Sequence, residues 1–260
     1  MREVLYGRQP VVETLRARRR QVFGLMLARG ARGRGTVDEA LALASSAGIP
    51  VQEVERSALD RLGGQAHHQG LAAEVSGYPY VGLPDLLEVA HREGEPPFLL
   101  LLDHLLDPQN LGSLLRSADA AGAHGVVIPD RRASAVTPAA VRASAGAAEH
   151  LRVAQVTNLV RAMESLQAQG IWLAGLDMAP EAQEYTEADL GGPLGVVVGG
   201  EGPGLGRLVR ERCDLLVRLP MRGRVASLNA AMAGAIALYE ARRQRTAKIC
   251  SPHPSTTKAV

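Results

Sequence analysis

The sequence predicts an α/β protein built from two units, because its apolar residues follow two different patterns along 260 residues. Short helical and strand-like segments alternate through residues 1–75, whereas unbroken apolar runs separated by helical segments begin at Phe98. Runs that are apolar at every position are typical of parallel strands covered by helices on both faces. Residues 76–97 are rich in glycine and proline and are predicted to link the two units.

The first unit, residues 1–75, is predicted to be a compact domain, since it is long enough to fold alone. Helical periodicity alternates there with short strand-like runs. The predicted elements are a helix Gln9–Arg18, a strand Val22–Ala28, a helix Val37–Ala47, a strand Ile49–Val54, a helix Ser57–Leu62 and a strand Leu71–Val75. Within the linker, Leu83–His91 is predicted to form a further short helix.

The second unit, residues 98–245, is predicted to hold a parallel sheet. Its predicted strands are the run that begins at Phe98, then Gly125–Pro129, Leu151–Val156, Ile171–Leu176, Leu194–Gly200 and Asp214–Pro220. Residues of a type that favours helix N-caps stand before the intervening helices, namely Asn110, Thr137, Asn158 and Ser227. Residues 246–260 show no periodicity and are predicted to be disordered.

The composition, 46% hydrophobic and 22% charged, is ordinary for a soluble globular protein. Its cysteines are Cys213 and Cys250, and no apolar run approaches the length of a membrane span or resembles a signal peptide. We therefore expect a cytoplasmic protein without disulfides, a metal site or a membrane partner.

Arginines are concentrated at the front of the chain, where residues 1–35 contain nine of them against the two acids Glu3 and Glu13. Arginine provides a fixed charge and a planar fork for phosphate, which suits contact with RNA backbone. The candidate RNA-binding residues are Arg8, Arg18, Arg19, Arg20, Arg32 and Arg34. An ordinary solvated surface in an arginine-rich chain is the alternative, and the sequence leaves both open.

The first candidate motif is DPQNLGSLLRSADAAG, residues 107–122. Its apolar positions bury one helix face and leave Asn110 at the N-terminal mouth, where free N–H groups attract anions. Arg116 follows six positions later. Taken alone, the motif is equally typical of an N-cap followed by a surface arginine.

The second motif is VVVGGEGPGL, residues 196–205. It is not a phosphate-binding Walker loop, because Gly206 is followed by Arg207 and not by lysine. Its glycines allow close approach of a ligand and unusual φ angles at Gly199, Gly200 and Gly202. Glu201 is predicted to be either solvated or engaged in a site, because an unpaired buried carboxylate is costly. A plain strand-to-helix turn would look the same.

The third motif is LPMRGRVASLNAAMAG, residues 219–234, a loop that ends at a helix start. Asn229 is its candidate polar residue, and Ser227 is predicted to cap the helix. The following helix is rich in alanine, which indicates close packing and not chemistry.

Together these motifs resemble the three signatures of the SpoU (TrmH) class of RNA ribose 2′-O-methyltransferases, in the SPOUT superfamily, over Leu99–Gln244. The family patterns are N-x-G-x-x-x-R, G-x-E-G-x-G-L and P-M-x-G-x-x-x-S-L-N. The segments 6–15 and 67–75 resemble the bounds of the L30e-like RNA-binding domain of 23S ribosomal RNA guanosine methyltransferases. Ala230 and Ala231 depart from the family, which usually has valine and serine there.

This resemblance implies a deep trefoil knot, a homodimer whose sites draw on both subunits, and S-adenosylmethionine as methyl donor. Arg116 would be the base or the group that positions the ribose, and a guanidinium that stays protonated favours positioning. Asn110 and Asn229 would orient the reactants, and Glu201 would polarise the same cluster. The implied cofactor contacts are Gly199, Gly202, Leu219, Met221, Ser227 and Leu228.

The expected function is 2′-O-methylation of a guanosine of 23S ribosomal RNA. A transfer-RNA ribose methylase is one alternative, although such enzymes usually lack the L30e-like domain that residues 1–75 resemble. The other alternative is a non-catalytic RNA-binding dimer, in which the basic first unit binds RNA and the second only dimerises.

Overall fold

The computed structural model describes residues 2–31, 35–63, 68–202 and 204–250, which form two α/β units. The strands are β1 Arg2–Tyr6, β2 Val22–Ala28, β3 Val51–Val54, β4 Leu71–Ser76, β5 Phe98–Asp103, β6 Gly125–Pro129, β7 Val153–Val156, β8 Trp172–Leu176, β9 Gln183–Glu184, β10 Leu194–Gly199 and β11 Leu215–Arg218. The helices are α1 Arg8–Ala17, α2 Thr36–Ser46, α3 Arg56–Gly63, α4 Leu83–Glu93, α5 Pro108–Ala121, α6 Pro138–Ala143, α7 Leu159–Gln167, α8 Arg207–Arg212 and α9 Ala230–Cys250. None of these helices is long and apolar enough to span a membrane.

The first unit contains a four-stranded sheet in the order β1-β4-β2-β3. Strands β1 and β2 are both antiparallel to β4, and β3 is parallel to β2. As a result β1, β2 and β3 run in one direction and end at the edge where β4 begins. The sequence pattern did not predict β1, an edge strand in which the charged Arg2 and Glu3 interrupt the apolar signal.

The second unit confirms the predicted parallel sheet, with the strand order β7-β6-β5-β10-β8-β11-β9 and parallel pairing throughout. Successive residues of the central strands point to opposite faces. Leu100 and Leu102 lie in the cluster that includes residues of α5, α6 and α9. Leu99 and Leu101 lie in the cluster with α4, α7 and α8. Buried residues on both faces explain the unbroken apolar runs. The trefoil knot stays a prediction, since strand pairing does not describe threading.

Two of the predicted helix caps are confirmed and two are wrong. Thr137 and Asn158 cap α6 and α7 through their side chains. Asn110 instead lies inside α5, because Pro108 takes the first helical position and Asp107 accepts the N–H of Gln109 at 3.0 Å. Ser227 lies before the start of α9, whose cap is Asn229.

The helix predicted within the linker is confirmed, and the C-terminal segment is more ordered than predicted. Helix α4 extends the predicted Leu83–His91 to Glu93, and its Leu86 is fully buried. Helix α9 continues beyond 245 to Cys250, so residues 246–250 are helical and not disordered. Buried Arg245 donates to the carbonyl of Gly192 at 2.7 Å, and Lys248 pairs with Asp189 at 2.7 Å, which fixes this end of the helix. Residues 251–260 lie outside the described residues.

A buried ion pair joins the two units and corrects two of the RNA-binding predictions. The Arg20 side chain is fully buried and donates to Glu149 at 3.1 Å and to Glu3 at 2.7 Å. Its guanidinium lies 4.9 Å from the ring centre of Tyr78. Arg19 donates to the main-chain oxygens of Glu149 and Pro79, both at 3.3 Å. These two side chains serve the interface, so they are not free for RNA.

Burial raises the pKa of Glu149 above its ordinary value, and the nearby Arg20 opposes that shift. The carboxylate therefore depends on its arginine partner. An ion pair of this kind is weak evidence of net stability, but breaking it leaves an uncompensated buried charge.

Candidate active site

The three sequence motifs meet because the strands that precede them are close neighbours in one parallel sheet. Strand β5 leads into the first motif, β10 into the second and β11 into the third. In the sheet, β5 pairs with β10, and β8 separates β10 from β11. All these strands end at the same edge, where parallel sheets commonly bind ligands.

Three polar side chains, one from each motif, form a hydrogen-bonded chain. Asn229 Nδ2 donates to Asn110 Oδ1 at 2.9 Å. Asn110 Nδ2 in turn donates to Glu201 Oε1. We call this set the Asn229–Asn110–Glu201 chain. It spans 119 and 91 positions of sequence, so it depends on the tertiary fold and not on local structure.

The direction of this chain is set by the start of α9. Asn229 Oδ1 accepts the N–H groups of Ala231 and Met232, at 2.9 and 3.2 Å. Its amide nitrogen is thereby left to donate to Asn110, and the nitrogen of Asn110 to donate to Glu201. The chain of donors ends on a carboxylate, which has further oxygen lone pairs to offer a substrate hydroxyl.

The glycine-rich loop is held by close backbone contacts. A Cβ on Gly199 would lie 2.2 Å from the carbonyl carbon of Gly204, and one on Gly200 would lie 2.5 Å from the carbonyl oxygen of His104. Positive φ angles occur at Gly202 and Gly204, at +84° and +68°. The unusual φ that glycine allows is therefore used at Gly202 but not at Gly199 or Gly200, where close approach alone requires glycine.

Asp103 is a buried carboxylate that the sequence patterns did not reveal. It is the last residue of β5, and its Oδ2 accepts the N–H of Gly206 at 2.7 Å, at the far end of the glycine-rich loop. Its other oxygen contacts the ring of His104. The available signal was the single acid that ends the apolar run FLLLLD. Asp103 anchors this loop to the neighbouring strand.

A cavity of about 550 Å³ opens beside the Asn229–Asn110–Glu201 chain. Glu201 and Asn229 line it, and it also includes every residue predicted to contact the cofactor: Gly199, Gly202, Leu219, Met221, Ser227 and Leu228. Asp177 and Met178, which follow β8, complete one wall and were not predicted. The sequence feature that could have revealed them is their position directly after a predicted strand, since β8 ends at the same edge of the sheet.

This cavity fits S-adenosylmethionine in size and in chemistry. Its volume is within the range of small-molecule sites, and its lining is mainly apolar side chains and glycine backbone with a few polar groups. The glycines that line it present backbone N–H and C=O groups without a Cβ in the way. Leu219 and Leu228 are among the apolar side chains of the lining.

Arg116 is not joined to the cluster. It is exposed on α5 and outside the cavity, and its side chain makes no hydrogen bond or ion pair with the described residues. Of the other arginines predicted to bind RNA, Arg8 follows β1 and Arg18 is the exposed C-cap of α1. Arg32 and Arg34 lie outside the described residues.

Two family patterns cover most of the chain. That of the SpoU rRNA Methylase family matches residues 97–239, and that described as RNA 2′-O ribose methyltransferase substrate binding matches residues 4–81. A Bacillus subtilis (strain 168) protein named as a TrmH family tRNA/rRNA methyltransferase, YacO, is 45% identical over 94% of this chain and 96% of its own length.

Solved structures are similar over different shares of the chain. The SpoU methyltransferase AviRb from Streptomyces viridochromogenes, in complex with AdoMet, has a TM-score of 0.77 and 28% identity over 95% of this chain and 91% of its own. An AdoMet-bound rRNA methyltransferase from Sinorhizobium meliloti has a TM-score of 0.75 and 25% identity over 93% and 87%. An A. aeolicus TrmH/SpoU tRNA modifying enzyme has a TM-score of 0.55 and 25% identity over 64% and 83%.

Proposed function

We propose that this chain, which belongs to the SpoU/TrmH family and is an RNA 2′-O-methyltransferase, acts on a guanosine of 23S ribosomal RNA in the cytoplasm. The observation that carries the catalytic part is the Asn229–Asn110–Glu201 chain beside a cavity of about 550 Å³. A protein that only bound RNA would have no use for a directed polar chain at the mouth of such a cavity, which argues against the non-catalytic alternative.

S-adenosylmethionine, when bound, supplies a methyl group on a sulfonium, which is electrophilic without further activation. The residues of this chain have to align the ribose hydroxyl with that methyl group. Glu201 accepts a hydrogen bond from the 2′-hydroxyl while Asn110 holds its other oxygen in place. Alignment of two reactants can lower a barrier by about 7 to 11 kcal/mol, so positioning can supply much of the rate.

In this proposal, Arg116 of one subunit of a homodimer acts at the active site of the other subunit. Helix α9 exposes an apolar stripe at the helical spacing i, i+4, i+7, formed by Met232, Ile236 and Tyr239 with exposed fractions of 60%, 37% and 54%. Helix α5, which carries Arg116, packs against α9. A second copy that covers this stripe brings its arginine near a neighbouring site, where the guanidinium holds the ribose or its phosphate.

Ribosomal RNA is favoured over transfer RNA by the first unit. The solved rRNA methyltransferase from Sinorhizobium meliloti aligns with 93% of this chain, and so with both units, whereas the A. aeolicus tRNA modifying enzyme aligns with 64%. Between these two relatives, a counterpart of the first unit accompanies the enzyme named for ribosomal RNA. We therefore assign ribosomal RNA as substrate and transfer RNA as the alternative.

Complementation between two inactive variants tests the catalytic proposal. Arg116→Ala and Asn229→Ala are each expected to lose most methyl transfer while S-adenosylmethionine binding by Arg116→Ala, measured by calorimetry, stays normal. When the two variants are co-expressed, mixed dimers are expected to regain activity at one site. Near-normal turnover of Arg116→Ala would show that methyl transfer does not need Arg116. No recovery in mixed dimers would show that Arg116 is not supplied by the partner.

The dimer has its own test. Ile236→Glu places a charge in the apolar stripe and is expected to give a monomer by light scattering. The control is Leu208→Glu, which makes the same kind of change at an exposed apolar residue of α8, outside the stripe. A dimer that survives Ile236→Glu would contradict this interface.

Mapping of 2′-O-methylated nucleotides, with and without the gene, tests the substrate. Loss of one guanosine methylation in 23S ribosomal RNA is the expected result. Loss of a methylation in transfer RNA, with ribosomal RNA unchanged, would support the alternative.

A further inference from the structure

Each of the three strands that run in the same direction in the first sheet is followed by an arginine. Arg8 comes two residues after β1, Arg29 directly after β2 and Arg56 two residues after β3. Because β1, β2 and β3 end at one edge of the sheet, these three arginines are brought together from distant parts of the sequence. The turn that precedes β4, with Gln69 and Gly70, meets them at the same edge.

These residues line a cavity of about 260 Å³ that is separate from the candidate active site. Among the described residues the lining contains three guanidinium groups and no carboxylate: Arg8, Ala28, Arg29, Gly30, Ala31, Arg56, Gln69 and Gly70. Like charges around one cavity repel each other, and a bound anion relieves that repulsion. The chemistry of the lining therefore points to an anionic ligand.

The cavity walls are braced by specific hydrogen bonds. Arg8 donates from its main-chain N to the side chain of Gln69 at 3.2 Å and from its Nε to the main-chain oxygen of Gln69 at 3.1 Å. This leaves the terminal nitrogens of its guanidinium available. Gln69 has a φ of +53°, a conformation that non-glycine residues rarely adopt. Such strain is maintained only where the surrounding structure imposes it.

Buried His68 connects this turn to the helix that carries Arg56. Its Nδ1 accepts the N–H of Gly70 at 3.0 Å, and its Nε2 lies 2.9 Å from Asp60 on α3. The turn and the helix are thus fixed relative to each other, and Gln69 and Arg56 face the same cavity. A preformed arrangement of donors costs less entropy on binding than flexible surface arginines would.

The arginines differ in how far they are already neutralised. Arg29 pairs with Glu55, and both side chains are well exposed, so solvent screens that pair. Among the described residues, the side chain of Arg56 has no carboxylate partner and no hydrogen bond. The lining therefore keeps a net positive charge after the Arg29–Glu55 pair is counted.

We propose that this cavity, the Arg8–Arg29–Arg56 site, binds backbone phosphates of the RNA substrate. The planar fork of arginine matches two phosphate oxygens, and three forks converging on one cavity suit one or two adjacent phosphates of a bent strand. This inference rests on the proposed function for the identity of the RNA. The inference goes beyond the proposed function because it assigns to the first unit a defined anion site, formed where three strands end.

Binding of the full-length protein to two RNAs tests this site. The probes are in vitro transcribed 23S ribosomal RNA and total transfer RNA, each titrated at several sodium chloride concentrations. The variant is Arg29→Ala with Arg56→Ala, which leaves the bracing Arg8 intact. The control is Arg61→Ala, an exposed arginine on the same helix α3 that does not line the cavity. Because phosphate contacts carry no sequence information, the expected loss applies to both RNAs.

The double variant is expected to bind both RNAs at least about tenfold more weakly, with a salt dependence shallower by about one to two, since each phosphate contact contributes roughly 0.7 to 0.9 to that slope. Arg61→Ala is expected to keep the wild-type affinity and slope. The variant Arg29→Lys with Arg56→Lys, which retains the charges, is expected to recover most of the slope. S-adenosylmethionine affinity is expected to be unchanged in all three.

An unchanged salt slope in the double variant, or a wild-type protein that binds neither RNA, would overturn the phosphate site. This outcome is separate from failure of the proposed function. If no 23S guanosine depends on the gene but both RNAs lose affinity as described, the site stands and only the substrate assignment falls.

Discussion

In each of the two sheets, strands that run in the same direction end at one edge, but the side chains gathered at the two edges differ in their chemistry. In the first unit the strand ends present three arginines around a cavity whose described lining has no carboxylate. In the second unit the strand ends present two neutral amides, linked to each other and to one carboxylate, beside a mainly apolar cavity. Topology therefore determines where functional residues gather, and side-chain type determines what they do there. The excess positive charge at the first edge suits the proposed phosphate site, and the directed polar chain at the second edge suits the proposed alignment of reactants.

Both proposed sites would contact the same RNA molecule, so the distance between the two edges matters for the proposed function. Arg20 and Glu149 join the units through a buried ion pair, and the apolar residues of both units form one continuous cluster. The distance between the two edges is therefore fixed by packing and not by a flexible linker. We expect substitutions in this interface to have larger effects than substitutions at the individual edges.

The largest effect is expected from Arg20→Met, which leaves Glu149 buried without its partner. Removing one member of a buried ion pair typically costs about 3–5 kcal/mol. The double variant Arg20→Met with Glu149→Met should recover much of that loss, since no uncompensated charge remains. Urea unfolding measures both, and Arg18→Met, at an exposed neighbouring arginine, is the control. Equal stability of the single variant and the wild type would mean that the pair does not hold the units together.

At the second edge, Asn110→Ala interrupts the polar chain at its middle. Glu201 then loses the donor that fixes its carboxylate, and Asn229 loses its acceptor. We expect the rate of methyl transfer to fall about 10²-fold, the usual consequence of losing alignment of this kind. The matched control is Gln109→Ala, an exposed position next to it on α5.

Single-turnover methylation under saturating S-adenosylmethionine separates this effect from cofactor binding. A lower rate constant of methyl transfer with unchanged cofactor affinity supports a positioning role for Asn110. A variant that turns over normally would show that Glu201 does not depend on Asn110.

A smaller effect is expected from Asp103→Asn. The shape is kept, but the charge-assisted hydrogen bond to the N–H of Gly206 becomes a neutral one, about half as strong. The glycine-rich loop should then be held less firmly, and S-adenosylmethionine should bind up to about tenfold more weakly. Asp130→Asn, at the exposed residue that follows the neighbouring strand β6, is the control. Calorimetry that finds equal affinity in both variants would exclude Asp103 as a loop anchor.

The sequence predicted those features that local pattern determines. The unbroken apolar runs indicated buried parallel strands, and Thr137 and Asn158 marked true helix starts. The three motifs stand at strand ends, and every residue predicted from the resemblance to contact the cofactor lines one cavity. These features were accessible because each is encoded in a short segment.

What the sequence did not predict depends on contacts between distant segments. Arg20 looked like its exposed neighbour Arg18, and its burial depends on Glu149, 129 positions away. Arg29 and Arg56 lie together because β2 and β3 run in the same direction. Strand β1 also runs in this direction, and the sequence pattern did not predict it. Asp177 lines the active-site cavity because β8, which precedes it, lies between β10 and β11 in the sheet. The sequence pattern does not show this strand order.

The smallest predicted effect concerns pH and His124, the buried histidine that directly precedes β6. Burial lowers the pKa of His124 below its ordinary 6.5, with opposing contributions from Glu93 and Glu95 and further lowering by Arg245 and Arg242. Its Nδ1 accepts the N–H of Phe98 at 2.9 Å, so the folded protein favours the neutral ring. Below pH 6.5 the unfolded chain binds a proton before the folded one does, and this favours unfolding.

The stability contributed by the neutral ring is therefore complete above pH 6.5 and declines as the pH falls towards the folded pKa. In His124→Asn the side-chain oxygen still accepts from Phe98 but does not titrate, so its urea midpoint should fall less between pH 6.5 and about 5 than that of the wild type. His91→Asn, on the exposed face of α4, should keep the wild-type pH dependence. Parallel curves for all three proteins would mean that His124 does not couple protonation to folding, and that the acid sensitivity of the second unit arises elsewhere.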